Sequence, residues 1–303
     1  MQKEKMGGVY GAALLYTIIT GLSFIFGKIA LEGAPPLDLL AHRFSASFIV
    51  VLILLLLGRV KLKFTFKQLL KILPLALLYP LLFFAFQTYG LQAATAIEAG
   101  ILTATIPIFT LIMATLFLKE KTNIYQIGSI VASVAGVIYI TLKKSSSVEV
   151  SSVRGIILIL LSTLSFAGYS VLARILTREF SSLHLALVMI IISFVTFNAV
   201  AVTKHAVSGT LPLFWKPLKD FKFVISVLYL GVLSTLVTSF LTNFVLSRLE
   251  ASKMSVFANL GTIVTIIASV IILKEALYYY HILGSVLIIG GGLGTNFLDK
   301  RSP

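Results

Sequence analysis

The chain has 303 residues, of which 58% are hydrophobic and only 12% are charged, whereas an ordinary soluble domain is about 45–50% apolar and about 25% charged. One globular core of this length cannot bury so much apolar surface, so the composition excludes a soluble enzyme and a disordered or fibrous chain. The net charge is +14, but the basic residues lie singly or in short groups between apolar runs, as in loops that face anionic lipid. We therefore predict an integral membrane protein that contacts the lipid bilayer and no nucleic acid.

Ten apolar segments are long enough to cross about 30 Å of hydrocarbon as helices, at about 1.5 Å per residue. In chain order they are predicted at Gly8–Leu31, Leu39–Leu57, Ile72–Leu91, Ala96–Leu118, Ile124–Leu142, Gly155–Leu176, Leu183–Val202, Phe223–Leu246, Ala251–Leu273 and Tyr278–Leu298. None shows the alternation of a barrel strand. The sequence predicts an all-α integral membrane protein with ten transmembrane helices.

The basic residues divide unevenly between the two sides of such a bundle. Fifteen Lys and Arg fall on the side of the two termini and eight in the loops of the other side. Because cytoplasmic loops carry the excess of Lys and Arg, we predict a multi-pass protein of the cytoplasmic membrane with both termini in the cytoplasm. We expect it to be a monomer or a weak homodimer.

The two halves of the chain resemble each other. The segments Leu91–Glu120 and Leu246–Glu275 share eight identities in thirty ungapped pairs, and both end in Leu-Lys-Glu. The hydrophilic stretch KKSSSVEVSSVR lies between the halves. We predict a first five-helix repeat at residues 1–144, a linker at 145–154 and a second five-helix repeat at 155–303. Because five is odd, the second repeat must be inverted in the membrane, as in many secondary transporters.

Further motifs carry a resemblance to a known family. Arg43-Phe44 stands early in the second predicted span, Pro107 lies within the fourth, Glu120 closes that span, and Gln126-Ile127-Gly128 opens the fifth. With the two repeats, these features resemble EamA-type members of the drug/metabolite transporter (DMT) superfamily over nearly the whole chain. The resemblance implies transport of a small metabolite, often export of amino acids or amphiphilic compounds. The second repeat departs from the pattern, with Thr262 where the first has Pro107.

Three charged residues fall about one turn inside the outer boundary of their spans, namely Lys28, Arg43 and Glu98. A charge at mid-span costs about 2.5–3.5 kcal/mol on insertion scales, so such residues are functional candidates. We predict that the three form a gate at the outer mouth, with Arg43 and Glu98 paired across spans two and four. The alternative is that Lys28 and Arg43 extend to the outer headgroups.

Polar and aromatic faces on five predicted spans suggest a central cavity, because such faces turn away from lipid. The predicted substrate-binding residues are Tyr16, Tyr79, Phe83, Gln87, Ser165, Thr238, Asn243 and Asn259. Tyr79 and Phe83 would stack on an apolar or cationic part of the solute, and the amides would bind its polar end. The alternative is that these polar groups only form hydrogen bonds between helices or within one helix.

The chain contains no cysteine, and no catalytic set, metal constellation or ATP-binding loop is visible, so we predict neither an enzyme nor a bound cofactor or metal. We predict a secondary transporter that moves a small organic metabolite (an amino acid, an amine or an amphiphilic drug-like compound) by alternating access, in the direction of export. A proton is the candidate coupling ion. The alternatives are an uptake carrier for an organic cation, a membrane-embedded enzyme and a passive channel.

The predicted topology can be tested in the cysteine-free chain. A single Ser146→Cys substitution places a thiol in the predicted linker, which should lie outside, so a membrane-impermeant maleimide should label intact cells. Labelling from the cytoplasmic side alone would contradict the inverted-repeat arrangement.

Overall fold

The computed structural model describes residues 2–59, 65–118, 123–145, 150–249 and 251–297. Within these ranges the chain folds entirely into helices and short connections, which confirms the all-α prediction. Residues 146–149 of the predicted linker and Glu120 of the family motif lie outside the described residues. We number the ten long helical elements α1 to α10 in chain order.

The helices agree with the predicted spans to within a few residues at most ends. They are α1 Gln2–Gly33, α2 Pro36–Leu56, α3 Phe66–Ala93, α4 Ala96–Thr103 with Ile106–Leu118, α5 Ile124–Ser145, α6 Val150–Leu176, α7 Ser182–Val207, α8 Phe221–Leu246, α9 Ala251–Ala268 with Ser269–Leu273, and α10 Tyr279–Phe297. Eight are long and apolar enough to cross a membrane, and α9 and α10 contribute shorter apolar helices. The prediction of a ten-helix membrane protein is confirmed. α6 begins inside the stretch predicted as linker.

α3 is interrupted near its middle. Tyr79 has an extended backbone (φ −143°, ψ 124°) between the helical segments, inside the π-helical stretch Leu77–Leu82. Pro80 follows it, and a proline disfavours the helical conformation of the residue before it and lacks the N–H that a regular helix needs. The Tyr79 side chain is buried, with 2% of its surface exposed.

α4 is also divided, between Thr103 and Ile106. Pro107 is the second residue of the second part, so its missing N–H cannot complete a regular helix across the junction. The hydroxyl of Thr105 donates to the carbonyl of Leu102 (2.7 Å) and lies 3.2 Å from the Thr163 hydroxyl of α6. The break is therefore buried and its polar groups are engaged within the protein, as membrane depth requires.

α8 contains a longer π-helical segment, Tyr229–Val237, which packs closely on α2. A Cβ atom on Gly231 would lie 2.5 Å from the carbonyl oxygen of Arg43 and 2.7 Å from Cβ of Ala46. The Ser47 hydroxyl of α2 donates to the Gly231 carbonyl at 2.6 Å. The two backbones can approach this closely only because residue 231 has no side chain.

Three helices from both halves meet beside the centre of the bundle. Thr265 of α9 donates its hydroxyl to the carbonyl of Gly21 in α1 (2.8 Å), and Thr262 donates to that of Gly100 in α4 (2.8 Å). A Cβ atom on Gly21 would lie 2.8 Å from the carbonyl oxygen of Gly261. Small residues and hydroxyls thus bring α1, α4 and α9 together, which is typical of helix packing in membranes.

Glu275, just after α9, caps the first part of α4. Its two carboxylate oxygens accept the backbone N–H groups of Ala96 (2.8 Å) and Ile97 (2.9 Å). Thr95 and Glu98 form a capping box at the same terminus. A helix start leaves unpaired N–H groups and carries partial positive charge, so a carboxylate is favourable there. This contact ties the second half to the first at the end of the bundle opposite the termini.

A short helix, Leu211–Trp215, covers the same end between α7 and α8. Phe214 is buried against the ring of His42 (4.4 Å between centroids), while Trp215 is largely exposed. Nε2 of the buried His205 in α7 lies at hydrogen-bond distance (3.0 Å) from Oδ2 of Asp38 in α2.

The approach of α2 and α8 predicts a sensitive position. Gly231→Ala should lower the free energy of unfolding by about 1–3 kcal/mol, because the added methyl group overlaps the α2 backbone. Gly290→Ala in α10 is the matched control, since a Cβ there meets nothing within 4 Å. Thermal unfolding of both variants in detergent compares them, and equal midpoints would contradict the close α2–α8 contact.

The cap on α4 predicts a second effect. Glu275→Ala removes the carboxylate that accepts hydrogen bonds from two backbone N–H groups and should cost about 1.5–3 kcal/mol of stability. The control is Glu179→Ala, which removes an exposed ion pair with Lys71 (2.6 Å) that is worth about 0–1 kcal/mol. If denaturation midpoints show no larger loss for Glu275→Ala, the cap does not stabilise the junction between the halves.

Candidate functional site

A cavity lies at the centre of the bundle, between the two halves. Its walls come from α1, α3, α4, α6, α8 and α9. The lining residues are Tyr16, Thr20, Gly21, Ser23, Phe24, Tyr79, Phe83, Phe84, Gln87, Gly100, Thr103, Ile106, Phe166, Ser234, Gly261 and Thr262. None of these described lining residues carries a charged side chain.

The cavity is small in this conformation, with a volume of about 30 Å³. Such a volume holds only a few water molecules, whereas pockets for small organic ligands measure about 300–1,000 Å³. The walls are therefore contracted, and a small organic molecule could fit only if they moved apart.

One wall of the cavity is aromatic. The ring centroids of Tyr79 and Phe83 are 5.2 Å apart, and Phe166 of α6 lies 5.5 Å from each of them. The Tyr79 and Phe166 rings meet edge to face, at an interplanar angle of 81°. Such distances and tilts are favourable for aromatic pairs. This wall offers an apolar and polarisable surface to the ring or chain of a solute.

The polar wall presents mainly hydrogen-bond acceptors. The hydroxyl protons of Thr20, Ser23 and Thr103 are given to carbonyls of their own helices, at 2.8, 2.6 and 2.7 Å. Each oxygen keeps lone pairs that can accept from a solute. Gln87 differs, because within the described chain no group hydrogen-bonds its amide. It can both donate to a solute and accept from it.

Four of the eight predicted substrate-binding residues line the cavity, namely Tyr16, Tyr79, Phe83 and Gln87. The other four are buried but stand outside the described lining. Two of them bond to their own helices: Ser165 donates to the Leu161 carbonyl (2.8 Å) and Thr238 to the Ser234 carbonyl (2.8 Å). The binding role of all eight stays a prediction.

The two predicted asparagines contact neighbouring helices. Asn243 accepts a hydrogen bond from the Tyr169 hydroxyl (2.8 Å), while its Nδ2 has no partner among the described residues. Asn259 is 2% exposed, and neither of its amide atoms has a partner within that part of the chain. Its Nδ2 lies against Gly292 of α10, where an added Cβ would approach to 2.7 Å.

The predicted pairing of Arg43 with Glu98 is not formed in the structure and is corrected here. Arg43 instead donates from Nε to the Thr235 hydroxyl (2.7 Å), and from Nη2 to the carbonyl (3.2 Å) and hydroxyl (3.1 Å) of Ser234. The physical reason is that the π segment of α8 offers three oxygens on the face toward which Arg43 turns. Glu98 accepts the Thr95 N–H (2.9 Å) in the capping box.

Glu98 also lies near a histidine at the end opposite the termini. Oε1 of Glu98 lies 4.0 Å from Nε2 of His281 in α10. Lys28 is half-buried in α1. The gating role of Lys28, Arg43 and Glu98 stays a prediction.

Several lining residues were missed, among them Phe24, Phe84, Phe166 and Ser234. The internal repeat could have identified two of them. Phe24 and Phe166 occupy equivalent places in the matching triplets Leu22-Ser23-Phe24 and Leu164-Ser165-Phe166, and both lie on the wall. No sequence signal singles out Ser234, because its position depends on the π segment.

The comparisons with known proteins agree with this architecture. The model of the EamA-like transporter family matches residues 8–142 and 153–297, one match in each half. An uncharacterized transporter of Bacillus subtilis, YcxC, is 48% identical over 303 residues, which cover 100% of this chain and 97% of the relative. A second uncharacterized transporter of B. subtilis, YoaV, is 25% identical. The alignment covers 94% of this chain and 95% of YoaV.

More distant relatives extend the similarity. A WAT1-related protein of Arabidopsis thaliana is 23% identical, over 89% of this chain and 73% of the relative. One solved crystal structure superposes on this chain with a TM-score of 0.63 at 16% sequence identity. The superposition covers 94% of this chain and 97% of the other chain, which supports the fold. The family match in both halves and the YcxC identity show that the chain is a multi-pass membrane protein of the EamA-like transporter family, within the drug/metabolite transporter superfamily.

Proposed function

We propose that the protein is a secondary transporter that binds a small organic metabolite in the central cavity and moves it by alternating access. The observation that carries this proposal is the position of the cavity, which lies between the two repeats and takes its walls from both. In transporters with inverted repeats, the substrate site lies near the midplane at the interface of the repeats.

The interrupted helices support the same assignment. The break of α3 brings Tyr79 to the wall, and the π segment of α8 brings Ser234. Discontinuous helices in corresponding places of two repeats are typical of transporter binding sites. The offset of 155 residues that aligns Leu91 with Leu246 also aligns Tyr79 with Ser234, so the two irregular segments correspond.

The contracted cavity and the Glu275 cap suggest which motion moves a solute. The carboxylate holds α4 and α9 together at the end opposite the termini, so opening of that end would separate Glu275 from the N–H groups of α4. By the repeat symmetry, the termini-bearing end would open in the alternate state. The direction we propose is export, because the resemblance to the family implies it.

Solute counterflow in proteoliposomes tests this function. Four solutes share one aromatic ring, which suits the aromatic wall, and differ in their polar group: phenylalanine, phenylacetate, phenylacetamide and phenethylamine. Vesicles loaded with excess unlabelled solute should accumulate the same labelled solute transiently and saturably for at least one of the four. Flux equal to that of protein-free vesicles for all four would contradict the proposal, and flux that does not saturate would indicate a channel.

A lining residue should affect the affinity of this transport. Gln87→Leu should raise the KM of counterflow about 3- to 10-fold with little change in maximal rate, because a neutral hydrogen bond of about 0.5–1.5 kcal/mol is lost from binding. Gln92→Leu is the matched control, since it makes the same change on an exposed position of α3. Equal KM values for the two variants would show that Gln87 does not bind the solute.

A further inference from the structure

We infer that the solute carries a carboxylate or similar compact anionic group, which binds at Ser234 with the charge of Arg43 behind it. This inference rests on the proposed function and specifies the substrate class of the same cavity.

Arg43 is a buried cation at the wall of the cavity. It is 3% exposed, and the central carbon of its guanidinium group lies 3.7 Å from the centroid of the Phe84 ring. Its Nη2 lies 3.1 Å from the Ser234 hydroxyl oxygen. Both Phe84 and Ser234 line the cavity, so the positive charge is separated from the cavity by one layer of side chains.

No carboxylate of the described residues lies within 4.0 Å of Arg43. The two buried acids are engaged elsewhere, because Asp38 contacts His205 and Glu98 caps α4 beside His281. Arg43 is compensated only by neutral oxygens and a ring, and Nη1 hydrogen-bonds to nothing in the described ranges. A buried charge without an opposite charge is costly. A bound anion would supply that compensation.

Ser234 is placed to transmit the charge to a solute. Its hydroxyl oxygen accepts from Arg43, and among the described residues nothing accepts its own proton. The hydroxyl is therefore free to donate into the cavity, and the guanidinium that donates to it strengthens this donor. Thr20, Ser23 and Thr103 have given their hydroxyl protons to carbonyls of their own helices, whereas Ser234 and Gln87 remain available to donate to a carboxylate.

The same arrangement disfavours an organic cation. Within the described lining no acidic side chain faces the cavity, and a solute ammonium group would stand near the Arg43 charge in surroundings of low dielectric constant. The aromatic wall and the hydroxyl acceptors of the polar wall would have to offset that repulsion. Among solutes of the same shape, the charge of Arg43 thus favours the anion over the cation.

Equilibrium binding to the purified wild-type protein provides the first test. Labelled phenylacetate, phenylacetamide and phenethylamine are dialysed separately against the protein in a neutral detergent. The dissociation constant of phenylacetate should be roughly tenfold or more below those of the amide and the amine, because only the carboxylate carries a charge opposite to that of Arg43. If the carboxylate is not preferred, the inference is overturned.

Substitutions identify the source of the preference. Arg43→Gln should abolish the preference for phenylacetate over phenylacetamide, and Ser234→Ala should reduce it several-fold. Arg43→Lys keeps the charge without the planar fork and should retain preference over the amine. Arg174→Gln is the matched control, because Arg174 also donates to α8, at the Leu246 carbonyl (2.6 Å), away from the lining residues. A folded Arg43→Gln variant that keeps the full preference would overturn the inference.

The outcomes separate this inference from the proposed function. Counterflow of the amide or amine without preference for phenylacetate would leave the transporter standing and remove the anionic substrate. Preferential, Arg43-dependent binding of phenylacetate without counterflow of any solute would support the anion site and contradict transport. Should Arg43→Gln fail to fold, the wild-type comparison and Ser234→Ala decide the matter.

Discussion

Backbone polar groups at membrane depth have no water to bind, so each irregular helix needs partners inside the protein. The contact between α2 and the π segment of α8 meets this requirement. In the π segment of α8, the Leu230 carbonyl accepts the Thr235 hydroxyl (2.7 Å), the Gly231 carbonyl accepts that of Ser47 (2.6 Å), and the Ser234 carbonyl accepts Nη2 of Arg43 (3.2 Å). Because these backbone carbonyls have hydrogen-bond donors, α8 can stay irregular where it borders the cavity. π segments often mark functional sites.

The two repeats produce corresponding irregularities by different chemistry. In α3 a proline interrupts the helix, while the equivalent part of α8 has no proline and widens into π-helical turns. Likewise α4 is divided at Pro107, whereas Thr262 at the equivalent place in α9 uses its hydroxyl to bind α4. The two repeats therefore contribute walls at equivalent positions of the cavity but with different chemistry. α3 contributes aromatic groups, whereas α8 and α9 contribute hydroxyl groups.

The ten helices could be predicted from the sequence because each apolar run has the length that the bilayer demands. Tyr79 and Gln87 could be assigned to the site because an amide and aromatic rings on one helix must avoid lipid. The sequence could not predict which residues of α8 line the cavity. A π segment holds extra residues per turn and rotates the later part of the helix relative to the earlier part, so the regular stripe through Thr238 and Asn243 does not reach the described lining. The partners of Arg43 depended on the same rotation.

The central claim is that the cavity between the halves is the solute site. The most direct measurement is the rate at which a thiol reagent modifies a Thr103→Cys variant, in an otherwise cysteine-free chain, with and without a solute that shows counterflow. We predict that the solute slows modification of Thr103→Cys in proportion to its occupancy and leaves an exposed Gln92→Cys control unchanged. Equal rates with and without a transported solute, at concentrations that saturate transport, would contradict the claim.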